Sequence, residues 1–167
     1  MTRVTFWLLL LTLPLSACQK RSEPKPAVAD ETADAAVRAW GATLKLPSTW
    51  RGGENDAGGY ELTDGELALL LGRHPGGALG AVTEDRKQAL AALGIRQVTE
   101  ATASVDGKAV RVLSGSARED GGSVSVKLLI APLGPDAALS VMLVGDASKA
   151  KRMDAAWREV LSALTLP

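Results

Sequence analysis

Hydrophobic and polar residues alternate along much of the chain, and the most regular alternation lies in residues 123–131. There, alternate positions from Val124 to Ile130 are branched and apolar, and the positions between them begin with Ser125 and Lys127. Because successive side chains of a β-strand point to opposite faces, this period of two predicts strands. The predicted strands comprise residues 41–46, 60–63, 66–72, 95–105, 108–117, 123–131 and 138–145.

Two Asp-Gly dipeptides mark connections between predicted strands. Asp64-Gly65 and Asp106-Gly107 each lie between two of the alternating segments. Such a dipeptide favours the tight turn of a β-hairpin, because both of its residues tolerate a positive φ. Residues 51–59 and 74–80 are rich in glycine, and we predict loops there. The predicted strands therefore pair mainly as antiparallel neighbours.

Three segments are predicted as helices. Residues 32–40 are rich in alanine and predict a short helix, and a second helix is capped by Thr83 and ended by Gly94. The third comprises residues 148–164, where large apolar side chains recur at helical spacing. These side chains are Met153, Trp157, Val160, Leu161 and Leu164. We expect an α+β fold: a mainly antiparallel sheet of about six strands, packed with a mid-chain helix and a C-terminal helix.

The first eighteen residues have the features of a bacterial export signal. Arg3 gives a short positive start, and residues 4–15 are apolar but too few to cross a membrane as a helix. The segment ends in Leu15-Ser16-Ala17-Cys18, which resembles the lipobox of bacterial lipoproteins. An ordinary secreted protein is the alternative, but Leu15 then stands where a small residue is preferred.

The lipobox resemblance implies lipidation and a location. The Cys18 thiol would take a diacylglycerol, the signal would be cut between Ala17 and Cys18, and the new amine would be acylated. Two or three acyl chains, such as palmitate, give a stable anchor where one does not. Gln19 stands where Asp would resemble an inner-membrane retention signal. We therefore expect a lipid-anchored protein in the periplasm or on the cell surface. The favoured location is the outer membrane, with the protein facing the periplasm.

The chain divides into three predicted parts. Residues 1–17 are the signal peptide, and residues 18–31 are the lipidated cysteine and a tether. The tether mixes charges with Pro24 and Pro26, so it buries too little apolar surface to fold. Residues 32–167 are predicted to form one globular α+β domain.

The globular part also resembles a known family. It is similar to PsbP-like and DcrB-like domains in its order of elements: a strand ending in Leu46-Pro-Ser-Thr-Trp50, a hairpin, a mid-chain helix, a meander and a C-terminal helix closing on Val160-Leu-Ser-Ala-Leu-Thr-Leu166. The resemblance covers about residues 41–167. It implies an α/β/α sandwich with a role in binding or assembly, and it provides no catalytic residue to transfer.

Composition and charge exclude several function classes. The chain has 19 basic and 19 acidic residues, so it lacks the positive excess of a nucleic-acid-binding protein. His74 is the single histidine and Cys18 the single cysteine, which excludes a His/Cys metal site once Cys18 is lipidated. No Gly-x-Ser-x-Gly motif, phosphate-binding loop or EF-hand spacing occurs. We therefore predict no catalytic residue, no metal and no cofactor.

Three functions remain possible on the sequence. The first is a non-catalytic binding or assembly module, held to the membrane through Cys18, whose partner is an envelope protein or cell-wall material. The second is an envelope hydrolase using His74 or the acids of neighbouring loops. These acids are Glu54, Asp56, Glu61, Asp64 and Glu66. The third is a carrier of a small apolar ligand between sheet and helix, which needs a cavity.

Overall fold

The structure, a computed structural model, describes residues 35–119 and 122–167, and this part of the chain contains ten strands and two α-helices. The strands are β1 (Ala35–Ala39), β2 (Ala42–Leu46), β3 (Arg51–Glu54), β4 (Tyr60–Thr63), β5 (Ala68–Pro75), β6 (Arg96–Val105), β7 (Lys108–Glu119), β8 (Gly122–Gly134), β9 (Ala137–Asp146) and β10 (Leu164–Thr165). The helices are α1 (Leu79–Ala92) and α2 (Ala150–Ala163), and a 3₁₀ turn, Ala147–Lys149, precedes α2. The predicted α+β class is confirmed.

Seven strands form the main sheet in the order β3-β4-β5-β9-β8-β7-β6, with every pair of neighbours antiparallel. The long strands β8 and β9 lie near its centre, and side chains from both of their faces are buried. Because the sheet is covered on both sides, apolar residues such as Leu128, Leu129 and Ile130 follow one another without a polar position between them.

Two apolar clusters cover the two faces of the main sheet. On one face, Val126, Leu128 and Ile130 of β8 pack with Val82 and Leu90 of α1. On the opposite face, the alternate residues of the sheet pack with α2 and with a second, smaller sheet. Helix α2 buries the side chains Met153, Ala156, Trp157 and Val160, as the helical spacing predicted. The predicted mid-chain and C-terminal helices thus lie on opposite sides of the sheet.

The smaller sheet was not predicted. It has the strand order β1-β2-β10, and it includes part of the segment 32–40, for which the prediction of a helix is wrong. Its alanines favour a helix, but the paired strand buries Val37 beside the apolar side chains of β2. Leu164, predicted as the last helical residue, lies in β10 instead, because the chain becomes extended after Ala163.

Two predicted loops are shorter than expected. Residues 51–54 pair with β4 as an edge strand, and β5 continues through His74 to Pro75 because β9 pairs with it over its whole length. Helix α1 begins at Leu79, four residues before Thr83, so the prediction of Thr83 as its cap is wrong. The Thr83 hydroxyl instead donates a hydrogen bond to the Leu79 carbonyl at 2.7 Å, inside the first turns.

The turn signals at Gly94 and at Asp106-Gly107 are confirmed, whereas Asp64-Gly65 begins a four-residue loop, 64–67, because Thr63 pairs with Ala68. Gly94 follows α1 with a φ of 76°, and its N–H donates to the Ala91 carbonyl at 3.0 Å. Asp106 and Gly107 have φ values of 52° and 75°, as a tight two-residue hairpin turn requires. Gly65, after Asp64, has a φ of 91°.

The predicted signal peptide, the lipidation site Cys18 and the tether lie outside the described residues. Among the residues that are described, no helix has both the length and the apolar character needed to span a bilayer.

Candidate functional site

An open depression of about 310 Å³ lies where β5 ends and α1 begins. We call it the His74 depression. Its lining residues are Arg73, His74, Pro75, Gly76, Gly77, Ala81, Val82 and Asp85. The turn beneath it is fixed by the Gly76 N–H, which donates to the Asp136 carbonyl at 2.7 Å, and Gly76 has a φ of 74°. A Cβ on Gly77 would lie 2.5 Å from Val82 Cγ2, so a larger residue there would displace the buried Val82 side chain.

A histidine–serine contact lies at the inner edge of this depression. His74 Nε2 is 2.8 Å from the Ser140 hydroxyl oxygen, which is 3.3 Å from the Gly72 carbonyl. Two arrangements of protons satisfy these atoms. Either the hydroxyl donates to Nε2, or a protonated Nε2 donates to the hydroxyl, which then donates to Gly72. A protonated imidazole is compatible with the second arrangement alone, so the contact survives protonation.

The surroundings of His74 favour its neutral form. Burial lowers the pKa of the imidazole, and the nearby charge of Arg86 lowers it further. The Asp85 carboxylate opposes this effect on the pKa, but it is itself paired with the Arg86 guanidinium. His74 therefore contributes a neutral, hydrogen-bonding ring to the depression at neutral pH.

A base within hydrogen-bond distance of a hydroxyl is the starting arrangement of nucleophilic catalysis. Here, however, the hydroxyl belongs to Ser140 in β9, a strand paired on both sides, with Gly72 of β5 and Ile130 of β8 opposite. The backbone N–H groups around it are used in the ladders, so they cannot form an oxyanion hole. Ser140 is also only 9% exposed. This contact positions the end of β5 and does not form a hydrolytic site.

The acids of the turn after β4 are engaged with cations and with backbone. Asp64 Oδ1 accepts hydrogen bonds from the N–H groups of Glu66 and Leu67, at 2.9 and 2.8 Å, and Oδ2 pairs with Arg152. Burial raises the pKa of Asp64, but these N–H groups and Arg152 outweigh it, so the pKa lies below its usual value. Glu66 Oε1 lies 2.7 Å from Lys149 Nζ. These contacts fasten the turn to the start of α2.

The five acids that the sequence brought together do not converge. Glu54 lies opposite Tyr60, at the other end of the β3–β4 hairpin from Asp64. The two acids are separated by four residue steps, or roughly 13 Å along the strand. Glu61, one position from Tyr60, points to the opposite face of the sheet. Within the ranges that the structure describes, no group of three or more His, Cys, Asp or Glu side chains is placed to hold a metal ion.

The apolar seam between the two sheets is closely packed. Its walls are formed by Trp40, Leu44, Leu71, Leu139 and other apolar residues, and it has no space for even a water molecule. A carrier of a small apolar ligand needs a cavity of several hundred Å³. This seam therefore does not support the hypothesis that the protein carries a small apolar ligand.

An aromatic pair that the sequence analysis did not single out as a site lies at the edge of this seam. The rings of Trp40 and Tyr60 meet edge to face, with centroids 5.9 Å apart and an angle of 76° between their planes. Both side chains are partly exposed. Tyr60 pairs with Leu71 of β5, close to the end of the sheet at which the His74 depression lies. Trp50, by contrast, is a core residue that is 2% exposed.

Comparison with known proteins identifies the fold and not a family. No protein-family model matches the sequence, and no curated protein matches it. Cyanobacterial PsbP (CyanoP) of Synechocystis has a similar structure, with a TM-score of 0.60 and 13% identity over 92% of this chain and 99% of that one. LpqN of Mycobacterium tuberculosis, a protein involved in cell envelope biogenesis, has a TM-score of 0.51 and 15% identity over 80% of this chain and 86% of that one.

A third similar structure comes from a longer protein. A protein of Bacteroides thetaiotaomicron has a TM-score of 0.55 and 13% identity over 76% of this chain, and the match spans 45% of that protein's length. Identities this low establish a shared architecture alone. The chain accordingly has an α+β fold similar to that of PsbP.

Proposed function

We propose that this protein is a lipid-anchored lipoprotein of the bacterial cell envelope, which binds an envelope protein or cell-wall material without catalysing a reaction. The lipobox Leu15-Ser16-Ala17-Cys18 supports the anchor. The similarity to LpqN, a protein of envelope biogenesis, is consistent with this location. The partner would reach the domain at the end of the main sheet where β5 finishes.

One observation carries the non-catalytic part of the proposal. The single histidine of the chain contacts Ser140 at 2.8 Å, and that serine lies in a strand whose backbone is paired on both sides. The imidazole therefore belongs to the wall of the depression, and its hydroxyl partner is buried in β9 and not presented as an exposed nucleophile. An open depression lined by charged and apolar groups is suited to recognition.

The experiment that tests this function is site-specific crosslinking in living cells. A photo-crosslinking amino acid would replace the exposed Ala81, which lines the His74 depression. The matched control places it at Lys45, which is exposed on β2 of the smaller sheet. We expect a crosslinked species at position 81 that is absent at position 45 and absent in a Cys18→Ala variant. Equal products at both positions, or none, would contradict the proposal.

A further inference from the structure

The Trp40–Tyr60 pair is built on an unusual turn. Trp40 and Gly41 connect β1 to β2, with φ values of 54° and 85°. The first position of such a turn favours Asn, Asp or Gly, because a larger side chain disfavours a positive φ. A tryptophan here is therefore a poor choice for the turn alone. Residues held in such conformations are enriched at functional sites.

Two exposed charged side chains lie on either side of Tyr60, on the face of the main sheet that carries its ring. Glu54 of β3 is directly opposite Tyr60, and residues opposite each other in antiparallel strands share a face. Leu71, the partner of Tyr60 on β5, is followed two positions later by Arg73, which alternation places on that face and which also borders the His74 depression at the end of the strand. From strand spacings of ~4.8 Å and a rise of ~3.3 Å per residue, the Cα atoms of Glu54 and Arg73 lie roughly 12 Å apart.

Neither charged group is used within the fold. Glu54 and Arg73 are both exposed, and no side-chain hydrogen bond or ion pair connects either of them to another described residue. Other charged residues of the domain behave differently, since Asp64 pairs with Arg152 and Lys127 Nζ lies 2.6 Å from Asp154 Oδ1. A carboxylate acceptor and a guanidinium donor are thus available on either side of Tyr60, whose ring meets that of Trp40.

The chemistry of this arrangement matches a sugar ring. A pyranose has an apolar face of C–H groups, which packs on the electron-rich face of an aromatic ring, and a polar rim. A carboxylate accepts hydrogen bonds from hydroxyl and amide groups of that rim, and an arginine holds a carboxylate through two parallel hydrogen bonds. The apolar part spans only two rings and is bordered by charge. A stable protein–protein interface buries about 800 Å² of surface on each partner, so this small surface suits a sugar better than a protein.

We propose that Trp40, Tyr60, Glu54 and Arg73 form a saccharide-binding surface, the Trp40 surface, that takes a pyranose of the cell-wall glycan. The ring stacks on the aromatic pair, its amide or hydroxyl groups donate to Glu54, and a carboxylate on the sugar accepts from Arg73. This inference rests on the proposed function, since an envelope location is what exposes the domain to that glycan.

The test uses the full lipidated chain, purified in detergent micelles. The probe is the disaccharide of N-acetylglucosamine and N-acetylmuramic acid, which has amides, hydroxyls and one carboxylate. Nuclear magnetic resonance follows the indole N–H signals during the titration, and calorimetry measures the Kd. We expect a shift of the Trp40 signal, which is identified by its absence in Trp40→Asn. The Trp50 signal, from a buried ring, is expected to stay in place.

The variants separate binding from folding. Asparagine favours the positive φ of position 40, so the Trp40→Asn variant is expected to remain folded. Because it lacks the indole ring, it is expected to bind the disaccharide at least tenfold more weakly. Arg73→Gln is expected to raise the Kd for this disaccharide but not for chitobiose, which has no carboxylate. Glu61→Gln, on the opposite face of the same strand as Tyr60, is the matched control and is expected to leave the Kd unchanged.

The outcomes distinguish this inference from the function on which it rests. A Trp40 signal that does not move at millimolar disaccharide, or a Kd unaffected by Trp40→Asn, would overturn the saccharide site. If the same chain still formed its crosslink at position 81, the proposed function would stand without this ligand.

Discussion

His74 Nε2 lies 2.8 Å from the hydroxyl of Ser140, which connects residues 66 positions apart at the inner edge of the His74 depression. The contact exists because β5 pairs with β9 in a register that places Gly72 opposite Ser140 and His74 opposite Ala138. Gly72 leaves room for the Ser140 hydroxyl, since a Cβ there would lie 3.2 Å from Ser140 Oγ.

Stability should depend on the protonation of His74. Burial lowers the pKa of the folded imidazole below the usual value of about 6.5, so the unfolded chain binds the proton more readily. The free energy of unfolding should therefore fall as the pH falls below about 6.5, until the folded imidazole is protonated too. Urea unfolding at pH 7.5 and at pH 5.5 measures this change in the free energy of unfolding. His74→Gln, whose amide can still reach Ser140, should lose less stability between these values than the unmodified chain, and equal losses would refute the prediction.

Ser140 should be unreactive as a nucleophile. No free N–H groups lie beside it to stabilise an oxyanion, so a fluorophosphonate probe should leave it unlabelled, as mass spectrometry of the peptide containing it would show. Ser140→Ala should cost about 1 kcal/mol of stability, because the hydrogen bond to His74 is lost. An adduct on Ser140 that disappears in His74→Ala would instead support the hydrolase alternative.

Asp64 should stabilise the turn after β4 through its backbone contacts more than through its ion pair. Asp64→Ala removes the acceptor of two N–H groups and should cost about 2 kcal/mol, whereas Asp64→Asn keeps that acceptor and should cost about half as much. Urea unfolding at pH 7 measures both. Because the folded pKa of Asp64 lies below its usual value, this stabilisation is present above about pH 4 and is lost as the pH falls through the folded pKa. Equal costs for the two variants would show that the ion pair with Arg152 dominates.

Trp50 should contribute through packing alone. Its indole Nε1 is buried and finds no hydrogen-bond partner among the described residues, so Trp50→Phe removes an unpaired donor together with some volume. We expect Trp50→Phe to cost less than about 2 kcal/mol and Trp50→Ala about 3–5 kcal/mol. Thermal or urea unfolding of both variants measures the difference. Similar costs for both would mean that the indole N–H has a partner.

The sequence predicts the main sheet well where burial controls the pattern. Residues 123–131 alternate because one side of β8 faces α1, and the final helix is visible because Met153, Trp157 and Val160 face one core. The turns at Gly94 and at Asp106-Gly107 are also predictable, since they depend on local backbone preferences.

The remaining features depend on contacts distant in sequence. Residues 51–54 are exposed and polar, so only pairing with β4 makes them a strand, and the alanines of β1 prefer a helix until Val37 is buried. Ser140 was visible as a lone polar residue in an apolar strand, but its contact with His74 follows from the β5–β9 register. Glu54 and Tyr60 lie in separate segments of the sequence, and only the register of β3 and β4 places them side by side.

The central claim, a lipid-anchored envelope protein, is tested most directly by the mass of its N-terminal peptide. The protein would be produced with its own signal in a bacterial host, extracted from the membrane fraction and digested with trypsin. We predict a peptide that begins at Cys18 and has two or three acyl chains, and Cys18→Ala should abolish both the modification and the membrane retention. An unmodified Cys18, or a chain that still begins at Met1, would contradict the claim.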